Sequence, residues 1–567
     1  MSFFHALQRT DDAGCPRWVH FADPVCNLTA CKVEEVLPRL REAENYQKKG
    51  FHAVGWIAYE ASPAFDPHYP VHSPPTGTPL LRLTVYRTEK NGLPRREALP
   101  ARVEQLEPSL SLEKFCESVR RIHDAIADGE TYQVNFTYPL RGKFSGEAWG
   151  LFRRLRQAQS SKHQAYIEEE DQVVVCASPE RFFKLQNGKI ICRPMKGTAA
   201  AGQETVLQSS LKNRSENIMI VDMIRNDLGK IADCGSVKAD PLFEVESYPS
   251  LVQMTSTVQA TGSRSGVDWL CALFPCASIT GAPKQKTMEW IHRLESEPRG
   301  VYTGCIGGFF GDGCTEFNVA IRTAVLSPAT GELQYHSGCG IVWDSDPAEE
   351  YRESLLKAEV LTYSPEPFQL IETMRFDPGK GIVLWPYHRQ RLLRSAAELG
   401  FELDTDELDQ IISSLCFPKP GKVRMTLSES GKILLEASEL PPTRPPMSFC
   451  IDSQATPSSH PELRHKTSRR TLYQAARARH PEVQETLLIN ENGELTEFSI
   501  GNLVWQAGGK LYTPPLHTGL LPGVARSAEL DAGILTERIC RREDLENAEK
   551  IWMINALRSW VEMERVC

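Results

Sequence analysis

A predicted β-hairpin in the first half of the chain constrains the fold more than any other feature of the sequence. Two short apolar runs, FFKL and KIIC, flank Asn187 and Gly188, and an Asn-Gly pair between two such runs is a typical hairpin turn. The hairpin would bring Glu180 and Lys196 together. An acid beside an amine suits the replacement of a hydroxyl by an amine, because the acid protonates the leaving oxygen while the deprotonated amine attacks. A cross-strand salt bridge on a solvated sheet face is the alternative.

The composition is that of an ordinary globular protein. The chain has 64 Lys and Arg against 73 Asp and Glu, a formal net charge of −9, which argues against a nucleic-acid-binding surface as the main function. No apolar run approaches the roughly 18 residues of a membrane span, and no signal peptide is seen at the N-terminus. The 16 cysteines form no close Cys-x-x-Cys pair, which argues against zinc or an iron–sulfur cluster. We therefore expect a cytoplasmic protein with no nucleic acid or membrane as partner.

A composition break, SPEPF at 364–368, predicts a boundary between two domains, 1–363 and 364–567. In the first domain, periodic apolar residues predict helices at 112–127 and 214–232. Apolar and β-branched runs predict strands at 131–140, 251–258, 304–311, 317–326 and 333–343. Mixed helices and strands continue in the second domain, so the expected fold class is α+β.

The last helix of the first domain has the clearest start signal. Asp346 is a predicted N-cap, Pro347 suits the first helical position, and Glu349 would complete a capping box. This register places two carboxylates and an amine on one face: Glu350, Glu353 and Lys357. The face is either solvated, or it holds a hard divalent cation and a substrate carboxylate.

A series of motifs follows in order over about residues 50–362: TYQVNFTY, SPERFF, RPMKGT, RSENIMIVDMIRNDLGK, SITGAPK, GCIGGF, AIRTA and SGCGIVWDSDPAEEYRESLLKA. Several long motifs in order are far more specific than any one alone. Through them the first half resembles the chorismate-utilising enzyme family. The resemblance implies a large two-sheet, chorismate-binding α/β sandwich.

By this resemblance, Lys196 and Glu180 are the catalytic residues. Lys196 would attack the chorismate ring and expel the 4-hydroxyl, while Glu180 would protonate the leaving oxygen. Ammonia would then displace the lysine and place nitrogen at the 4-position, giving 4-amino-4-deoxychorismate. Relatives that make anthranilate usually carry Ala at the position of Lys196, so the lysine favours 4-amination. Lys196 must lose its proton to attack, and Arg193 and a nearby metal would disfavour its charged form.

The resemblance also implies a substrate and metal site. Mg²⁺ would bridge the substrate carboxylate to Glu216 and Glu353, with Glu350 as a further candidate ligand, since Mg²⁺ takes one or two carboxylates together with water and substrate oxygens. The residues implied for the carboxylates of chorismate are Arg322, Lys357, Thr280 and the backbone near Gly338 and Gly340. The alternative for Arg322 is an ordinary ion pair on a strand.

Two positions depart from the family pattern. Many relatives carry His where this chain has Gln253, and that histidine is associated with later steps of anthranilate formation, so its absence favours 4-amination. An acidic residue is common three positions before Glu216, where this chain has Asn213. No glutamine amidotransferase segment is recognisable, so we expect ammonia from a separate glutamine amidotransferase subunit or from solution.

The second half carries its own set of motifs: ETMR (372–375), His388 with Arg391-Leu392, Lys466, TEFSIGNLVW (496–505), GLLPGVAR (519–526) and NALR (555–558). Through them it resembles the class IV pyridoxal-phosphate fold of branched-chain aminotransferases, D-amino-acid aminotransferases and aminodeoxychorismate lyases. The resemblance implies an α+β domain that binds pyridoxal 5′-phosphate, and proteins of this fold usually form homodimers.

Each implied cofactor contact has a physical reason. Lys466 would form the Schiff base and shuttle protons. Glu497 would face the pyridine nitrogen and keep it protonated. Arg391 and the helix-start amides after Gly523 would hold the phosphate. The remaining cofactor-binding candidates are Val524, Ala525 and Asn555. Without the downstream motifs, Lys466 would read as a surface lysine in a basic run.

The two resemblances together predict a bifunctional enzyme of 4-aminobenzoate synthesis. If the first half makes aminodeoxychorismate, the second half would consume it as a lyase, giving 4-aminobenzoate and pyruvate. Thr373 is a further candidate for assisting that elimination. The alternatives are an anthranilate synthase fused to an aminotransferase, or a chain in which one half is an inactive binding module.

Overall fold

A computed structural model of the protein describes residues 3–10, 16–94, 96, 101–158, 161–200, 204–247, 251–362, 368–458 and 460–566. The chain forms two compact units, the first built from residues within 1–365 and the second built mainly on 366–567. The predicted boundary at 363/364 lies among residues 363–367, outside the described residues.

The strands of the first unit are β1 (Phe4–Thr10), β2 (Pro16–Ala30), β3 (His52–Ile57), β4 (Leu81–Asn91), β5 (Arg102–Pro108), β6 (Gln133–Ser145), β7 (His163–Glu168), β8 (Val173–Ser178), β9 (Arg181–Gln186), β10 (Lys189–Arg193), β11 (Met195–Ala200), β12 (Lys238–Ala239), β13 (Glu244–Ser247), β14 (Leu251–Thr255), β15 (Val258–Thr261), β16 (Gly281–Ala282), β17 (Cys305–Phe309), β18 (Thr315–Val319), β19 (Thr323–Ser327) and β20 (Glu332–Ile341). Its helices are α1 (Val33–Lys48), α2 (Leu112–Ala127), α3 (Ala148–Ala158), α4 (Glu204–Ser209), α5 (Leu211–Gly229), α6 (Gly266–Leu273), α7 (Lys284–Leu294) and α8 (Pro347–Leu356).

Most strands of the first unit belong to one antiparallel sheet of 17 strands. The pairing runs β12-β15-β10-β9-β18-β17-β3-β4-β2-β1-β7-β8-β19-β20-β6-β5, with β16 also on β6. β11, β14 and β13 form a separate small sheet. The expected mixed α/β fold with large sheets is therefore confirmed, although one continuous sheet supplies both layers.

The side chains of the large sheet show how it forms two layers. Val54 and Trp56 of β3 share a buried core with Val174 and Cys176 of β8. Residues that alternate with these point the other way, because successive strand residues face opposite sides. The outward side chains of β3 pack with α1, α5 and α6, and those of β8 pack with α2 and α3. Helices thus cover both outer faces of the two-layer sheet.

Local sequence signals explain the helices closest to the candidate site. α2 covers the predicted residues 112–127, and the Ser111 side chain caps its start. Asp346 caps α8 by accepting from the amides of Ala348 and Glu349, and Pro347 occupies the first turn as predicted. The predicted reciprocal contact from Glu349 is absent from this described helix, so the capping box was wrong.

Two predicted strands are interrupted. The strand predicted at 317–326 divides into β18 and β19, and Arg322 between them has φ +52°, a left-handed conformation that is uncommon for residues other than glycine. The strand predicted at 251–258 divides into β14 and β15, which lie in different sheets. Alternating apolar patterns do not reveal where a strand leaves one sheet for another.

The second unit contains two sheets and five α-helices among its described residues. Its strands are β21 (Leu370–Asp377), β22 (Gly381–Ile382), β23 (Gly421–Leu427), β24 (Ile433–Ser438), β25 (Met447–Thr456), β26 (Glu485–Asn490), β27 (Leu495–Phe498), β28 (Gly501–Ala507), β29 (Lys510–Thr513), β30 (Thr536–Glu537), β31 (Lys550–Asn555) and β32 (Ser559–Arg565). Its helices are α9 (Trp385–Leu399), α10 (Thr405–Ser413), α11 (Thr471–Arg479), α12 (Val524–Asp531) and α13 (Arg542–Glu546).

The smaller sheet has the order β22-β21-β23-β24, and the larger has β27-β26-β25-β32-β31-β28-β29-β30. Separate buried cores accompany the two sheets. Across the described residues, no helix is long and apolar enough to cross a membrane.

Candidate active sites

The predicted hairpin forms and brings its two ends together. Asn187 and Gly188 have φ values of 52° and 73°, as a tight two-residue turn requires. β9 pairs with β10 from Gln186↔Lys189 to Arg181↔Arg193, with one irregularity near the open end. Glu180 precedes the first strand, and Lys196 follows the second after Pro194, so the register places the acid and the amine at the same end.

The Glu180 carboxyl lies in a buried environment. The residue is 3% exposed, and burial raises the pKa of its carboxyl to about 7, although a hydrogen bond with Ser278 and the positive charge of Lys196 oppose the increase. Desolvation disfavours the charged form of an acid. Glu180 can therefore hold a proton near neutral pH and deliver it to a bound group, as a general acid must.

Lys196 points toward the backbone of β20. A Cβ atom placed on Gly340 would lie 3.1 Å from Lys196 Nζ and 2.6 Å from the Gln133 side-chain nitrogen. Gly340 therefore leaves room for an amine and an amide on one face of the strand, which explains the need for glycine there. Both predicted catalytic residues, Glu180 and Lys196, lie in this region.

Gln133 is a site residue that the sequence reasoning missed. It is fully buried, yet neither its side-chain oxygen nor its side-chain nitrogen has a hydrogen-bond partner among the described residues. A buried amide without partners is costly, so this one is placed to bind a ligand group beside Lys196. The available signal was a glutamine within the apolar strand TYQVNFTY, where a polar side chain needs a partner.

Arg322 and Lys357 form a second part of this site. Arg322 donates to the Lys357 carbonyl at 3.4 Å, and Lys357 Nζ donates to the Gly338 carbonyl at 2.9 Å. Burial alone would lower the pKa of Lys357, but Cys339 and Glu353 outweigh it and raise the pKa overall. The two cations are therefore neighbours, as binding of a carboxylate would require.

Gly338 and Thr280 have structural contacts of their own. A Cβ on Gly338 would lie 2.2 Å from the Phe136 carbonyl oxygen, so glycine is needed for the close pairing of β20 with β6. Thr280 is fully buried, and its hydroxyl donates to the Cys276 carbonyl at 3.1 Å. Only the lone pairs of that hydroxyl are left for a ligand.

Two of the three predicted metal ligands lie close together in the structure. Glu350 and Glu353 belong to a group with Cys339 whose ligand atoms all lie within 4.8 Å of one another. Glu353 pairs with Lys357 at 2.8 Å, and Glu350 accepts from Ser345 at 2.8 Å. Among the described residues, Glu216 is not part of this group; it lies half-buried on α5. The two adjacent carboxylates suit Mg²⁺, whereas the thiol does not.

Arg193 has carboxylate partners of its own. It pairs with Glu244 at 3.0 Å and with Glu246 at 2.9 Å, so its charge is largely offset. The expected influence of Arg193 on Lys196 stays a prediction. Asn213 lies over Gly197, where a Cβ would come within 2.9 Å of the Asn213 side chain.

The second unit holds another amine in a buried pocket. Burial, together with the charges of Arg391 and Arg470, lowers the pKa of Lys466 to about 7, and Glu372 and Glu497 oppose this decrease. Such an amine is partly deprotonated at neutral pH, as formation of a Schiff base requires. The Lys466 carbonyl accepts from the Ile371 amide at 2.9 Å, which fixes the lysine beside β21.

Glu497 lies in the same cavity, which has a volume of about 400 Å³. Burial raises the pKa of its carboxyl to about 7, and hydrogen bonds from the Leu521 amide and the Tyr473 hydroxyl oppose the increase. These donors approach to 2.9 Å and 2.8 Å. The carboxyl is thereby fixed in position and can share a proton with a ring nitrogen.

Arg391 is oriented by an ion pair. Its guanidinium contacts both carboxylate oxygens of Glu372, at 2.9 Å and 2.6 Å, and His388 contacts the same carboxylate at 2.6 Å. Burial alone would raise the pKa of Glu372, but Arg391 and His388 lower it to about 2. Arg391 Nη1 also reaches the Pro522 carbonyl at 3.2 Å, just before the start of α12.

The start of α12 supplies backbone donors. Val524 and Ala525 are its first two residues, and the amides of a first helical turn have no partner within the helix. They are suited to a phosphate. A Cβ on Gly523 would lie 1.8 Å from the Asn502 side-chain oxygen, so glycine is required before the helix.

Asn555 lines the cavity, but its amide group holds the local turn. Its oxygen accepts from the amides of Leu557 and Arg558, and its nitrogen donates to the Ile500 carbonyl. Lys466, the Glu497 carboxyl, and Arg391 with the start of α12 line one cavity, and together these groups fit pyridoxal phosphate.

Two family models match consecutive parts of the chain. Residues 9–363, more than half of the chain, match the chorismate binding enzyme family, and residues 369–566 match amino-transferase class IV. The chain therefore belongs to the chorismate binding enzyme family and carries a class IV amino-transferase domain after it.

Two individual relatives each match slightly less than half of the chain. The chain is 40% identical over 271 residues to aminodeoxychorismate synthase of Streptomyces griseus, covering 45% of this chain and 36% of that protein. It is 38% identical over 268 residues to aminodeoxychorismate synthase component 1 of Klebsiella aerogenes, covering 46% of this chain and 59% of that protein. Both alignments span less than two thirds of the relative's length.

Among solved structures, anthranilate synthase component I from Streptococcus pneumoniae TIGR4 aligns with a TM-score of 0.52 and 23% identity, over 64% of this chain and 92% of that one. This likeness shows the fold.

Proposed function

We propose that the chain converts chorismate to 4-aminobenzoate in two steps, with one step in each of the halves 1–363 and 364–567. The observation that carries the proposal is the buried Glu180 carboxyl, whose pKa is raised to about 7 and which is near enough to Lys196 to feel its charge. Lys196 Nζ in turn lies close to Gly340. A protonated acid and a nucleophilic amine are what the exchange of a hydroxyl for an amine requires.

In the first step, Lys196 Nζ forms a bond to the chorismate ring while the bond to the 4-hydroxyl oxygen breaks. The proton of Glu180 goes to that oxygen, which leaves as water. Ammonia then forms a bond at the 4-position, and the bond to Lys196 breaks. The unpartnered amide of Gln133, close to Lys196 Nζ, would position the incoming nucleophile or a ring substituent.

Arg322 and Lys357 would bind the substrate carboxylates, since they lie together beside Gly338. Glu350 and Glu353 would hold Mg²⁺, which when bound offsets the negative charge of a carboxylate. Glu216 would be a further ligand candidate for the same metal. A separate glutamine amidotransferase subunit would supply ammonia, as the name component 1 of the Klebsiella aerogenes relative suggests.

In the second step, aminodeoxychorismate would lose pyruvate to give 4-aminobenzoate. Pyridoxal phosphate, when bound, supplies an electron sink. Lys466 would hold the cofactor covalently and then move protons at its Nζ. Glu497 would hold a proton at the ring nitrogen, and Arg391 with the Val524 and Ala525 amides would hold the phosphate. A lyase is favoured over an aminotransferase because the first half would make the lyase substrate.

The test follows each step separately. The full chain is given chorismate, an ammonium salt and pyridoxal phosphate, and the aromatic product and pyruvate are identified. We expect 4-aminobenzoate and one equivalent of pyruvate. Anthranilate would contradict the first step. Aminodeoxychorismate that accumulates in the presence of the cofactor would contradict the second.

A further inference from the structure

The cavity around Lys466 carries more positive charge than a bound cofactor phosphate requires. Its lining includes seven lysine or arginine side chains and one carboxylic acid, Glu497. Unbalanced charge in a partly enclosed space raises the local electrostatic potential and favours anions. Some of these cations have a partner in the protein, and others do not.

Three of the arginines contact other groups of the protein. Arg391 is paired with Glu372. Arg470 donates to the Ser499 carbonyl, and its guanidinium lies 4.6 Å from the centre of the Tyr473 ring. Arg477 lies 3.9 Å from Glu485. These side chains are held by the protein whether or not a substrate is present.

Lys422, Arg424 and Arg558 differ from this group. Within the described part of the chain, no ion pair or side-chain hydrogen bond joins Lys422 or Arg424 to another residue. Arg558 Nε is buried without a hydrogen-bond partner, although the charge of Arg558 also acts on Glu485. Glu436 is directly opposite Arg424 on β24, but it is exposed and does not line the cavity.

The strand register places these cations on the substrate side of the cavity. On β23, Arg424 is opposite Thr373 and Lys422 is opposite Arg375 of β21. Thr373 and Ile371 line the same cavity, and the Ile371 amide is bonded to the Lys466 carbonyl. The phosphate cradle uses different elements, Arg391 and the start of α12. The two β23 cations therefore remain for a second anionic ligand.

We propose that Arg424 and Lys422, with Arg558, bind the carboxylates of a substrate that carries two of them, and so select a dicarboxylate over a monocarboxylate. The inference rests on the proposed function, in which the second half receives a cyclic diacid with an amine. A guanidinium can hold a carboxylate through two parallel hydrogen bonds, and an ammonium can hold the other.

The test compares two unreactive probes on the full chain loaded with pyridoxal phosphate. 5-Aminoisophthalate carries two carboxylates, and 3-aminobenzoate has the same ring and amine with one. Binding is followed through the absorbance band of the lysine-bound cofactor at about 400 nm, which reports only on this site. We expect the diacid to bind about tenfold more tightly than the monoacid.

Arg424→Met and Lys422→Met should each weaken diacid binding about tenfold and change monoacid binding by less than about threefold. Lys432→Met, at an exposed lysine in the turn just before β24, is the matched control and should change neither. The cofactor band verifies that each variant keeps its pocket, and Arg424→Lys should restore part of the diacid affinity. Unchanged diacid binding in both methionine variants would overturn the proposal.

Pyruvate release from aminodeoxychorismate separates this inference from the proposed function. If no pyruvate forms but the diacid preference persists, the lyase assignment fails and the carboxylate site stands. If pyruvate forms and KM is the same in wild type, Arg424→Met and Lys422→Met, the carboxylate site fails and the lyase assignment stands.

Discussion

At the scale of single residues, burial sets the chemistry of both halves. Glu180 and Glu497 are acids whose pKa burial raises to about 7, and Lys466 is an amine whose pKa burial lowers to about 7. In each case desolvation moves the group toward its neutral form. Groups that titrate near neutral pH can both hold and release protons, which is why they are the candidates for proton transfer.

The raised pKa of Glu180 predicts a pH dependence for the first step. Its carboxyl must be protonated to act as an acid, so the rate of chorismate consumption at constant free ammonia should fall about tenfold per pH unit above about pH 7. Between pH 4.5, the ordinary value, and about 7, the folded state binds the proton more tightly than the unfolded state, so stability should fall as pH rises through this window.

Glu180→Gln is the matched variant for that measurement. It should lower the rate about a hundredfold or more. Its stability loss between pH 4.5 and 7 should be smaller than that of wild type, because the contribution of Glu180 is removed. A wild-type rate that stays flat from pH 6 to pH 9 at constant free ammonia, about two units beyond the expected pKa, would contradict the assignment of Glu180 as the acid.

At the scale of elements, substituting alanine for either of two glycines of β20 should have different effects. An alanine methyl at position 340 would meet the ends of the Gln133 and Lys196 side chains, whereas at position 338 it would meet the Phe136 backbone. Gly340→Ala should therefore fold but consume chorismate about ten- to a hundredfold more slowly. Gly338→Ala should lose about 2 kcal/mol or more of stability.

Thermal unfolding and chorismate consumption, measured on both variants, test this contrast. A Gly340→Ala protein with the wild-type rate would mean that the face of β20 at Gly340 is not part of the site. Equal loss of stability in both variants would mean that the glycines have only a packing role.

The same elements show what the sequence could predict. The hairpin turn and the start of α8 follow from local residue types, namely Asn187 with Gly188 and Asp346 with Pro347. The break at Arg322 and the orphaned amide of Gln133 do not, because they depend on contacts between segments far apart in the chain. The roles expected of Glu216 and Arg193 stay predictions, since they depend on neighbours from other elements.

At the scale of the whole molecule, each half has its own lysine and its own buried acid. We therefore expect the two activities to be separable by mutation. Lys466→Ala should abolish the absorbance band at about 400 nm and the release of pyruvate, while chorismate is still consumed at the wild-type rate and aminodeoxychorismate accumulates.

Spectroscopy with added pyridoxal phosphate and product analysis check this expectation. The reciprocal variant, Lys196→Ala, should still release pyruvate from supplied aminodeoxychorismate. Loss of chorismate consumption in Lys466→Ala would show that the halves do not act independently.

In the proposed first step, Lys196 next to a protonated Glu180 exchanges oxygen for nitrogen on chorismate. The most direct measurement is the product formed from chorismate, an ammonium salt and pyridoxal phosphate by wild type, by Lys196→Ala and by Lys189→Ala, an exposed lysine at the turn of the same hairpin. We predict 4-aminobenzoate from wild type and Lys189→Ala, and about a hundredth of that amount or less from Lys196→Ala. Anthranilate from wild type, or undiminished 4-aminobenzoate from Lys196→Ala, would contradict the account.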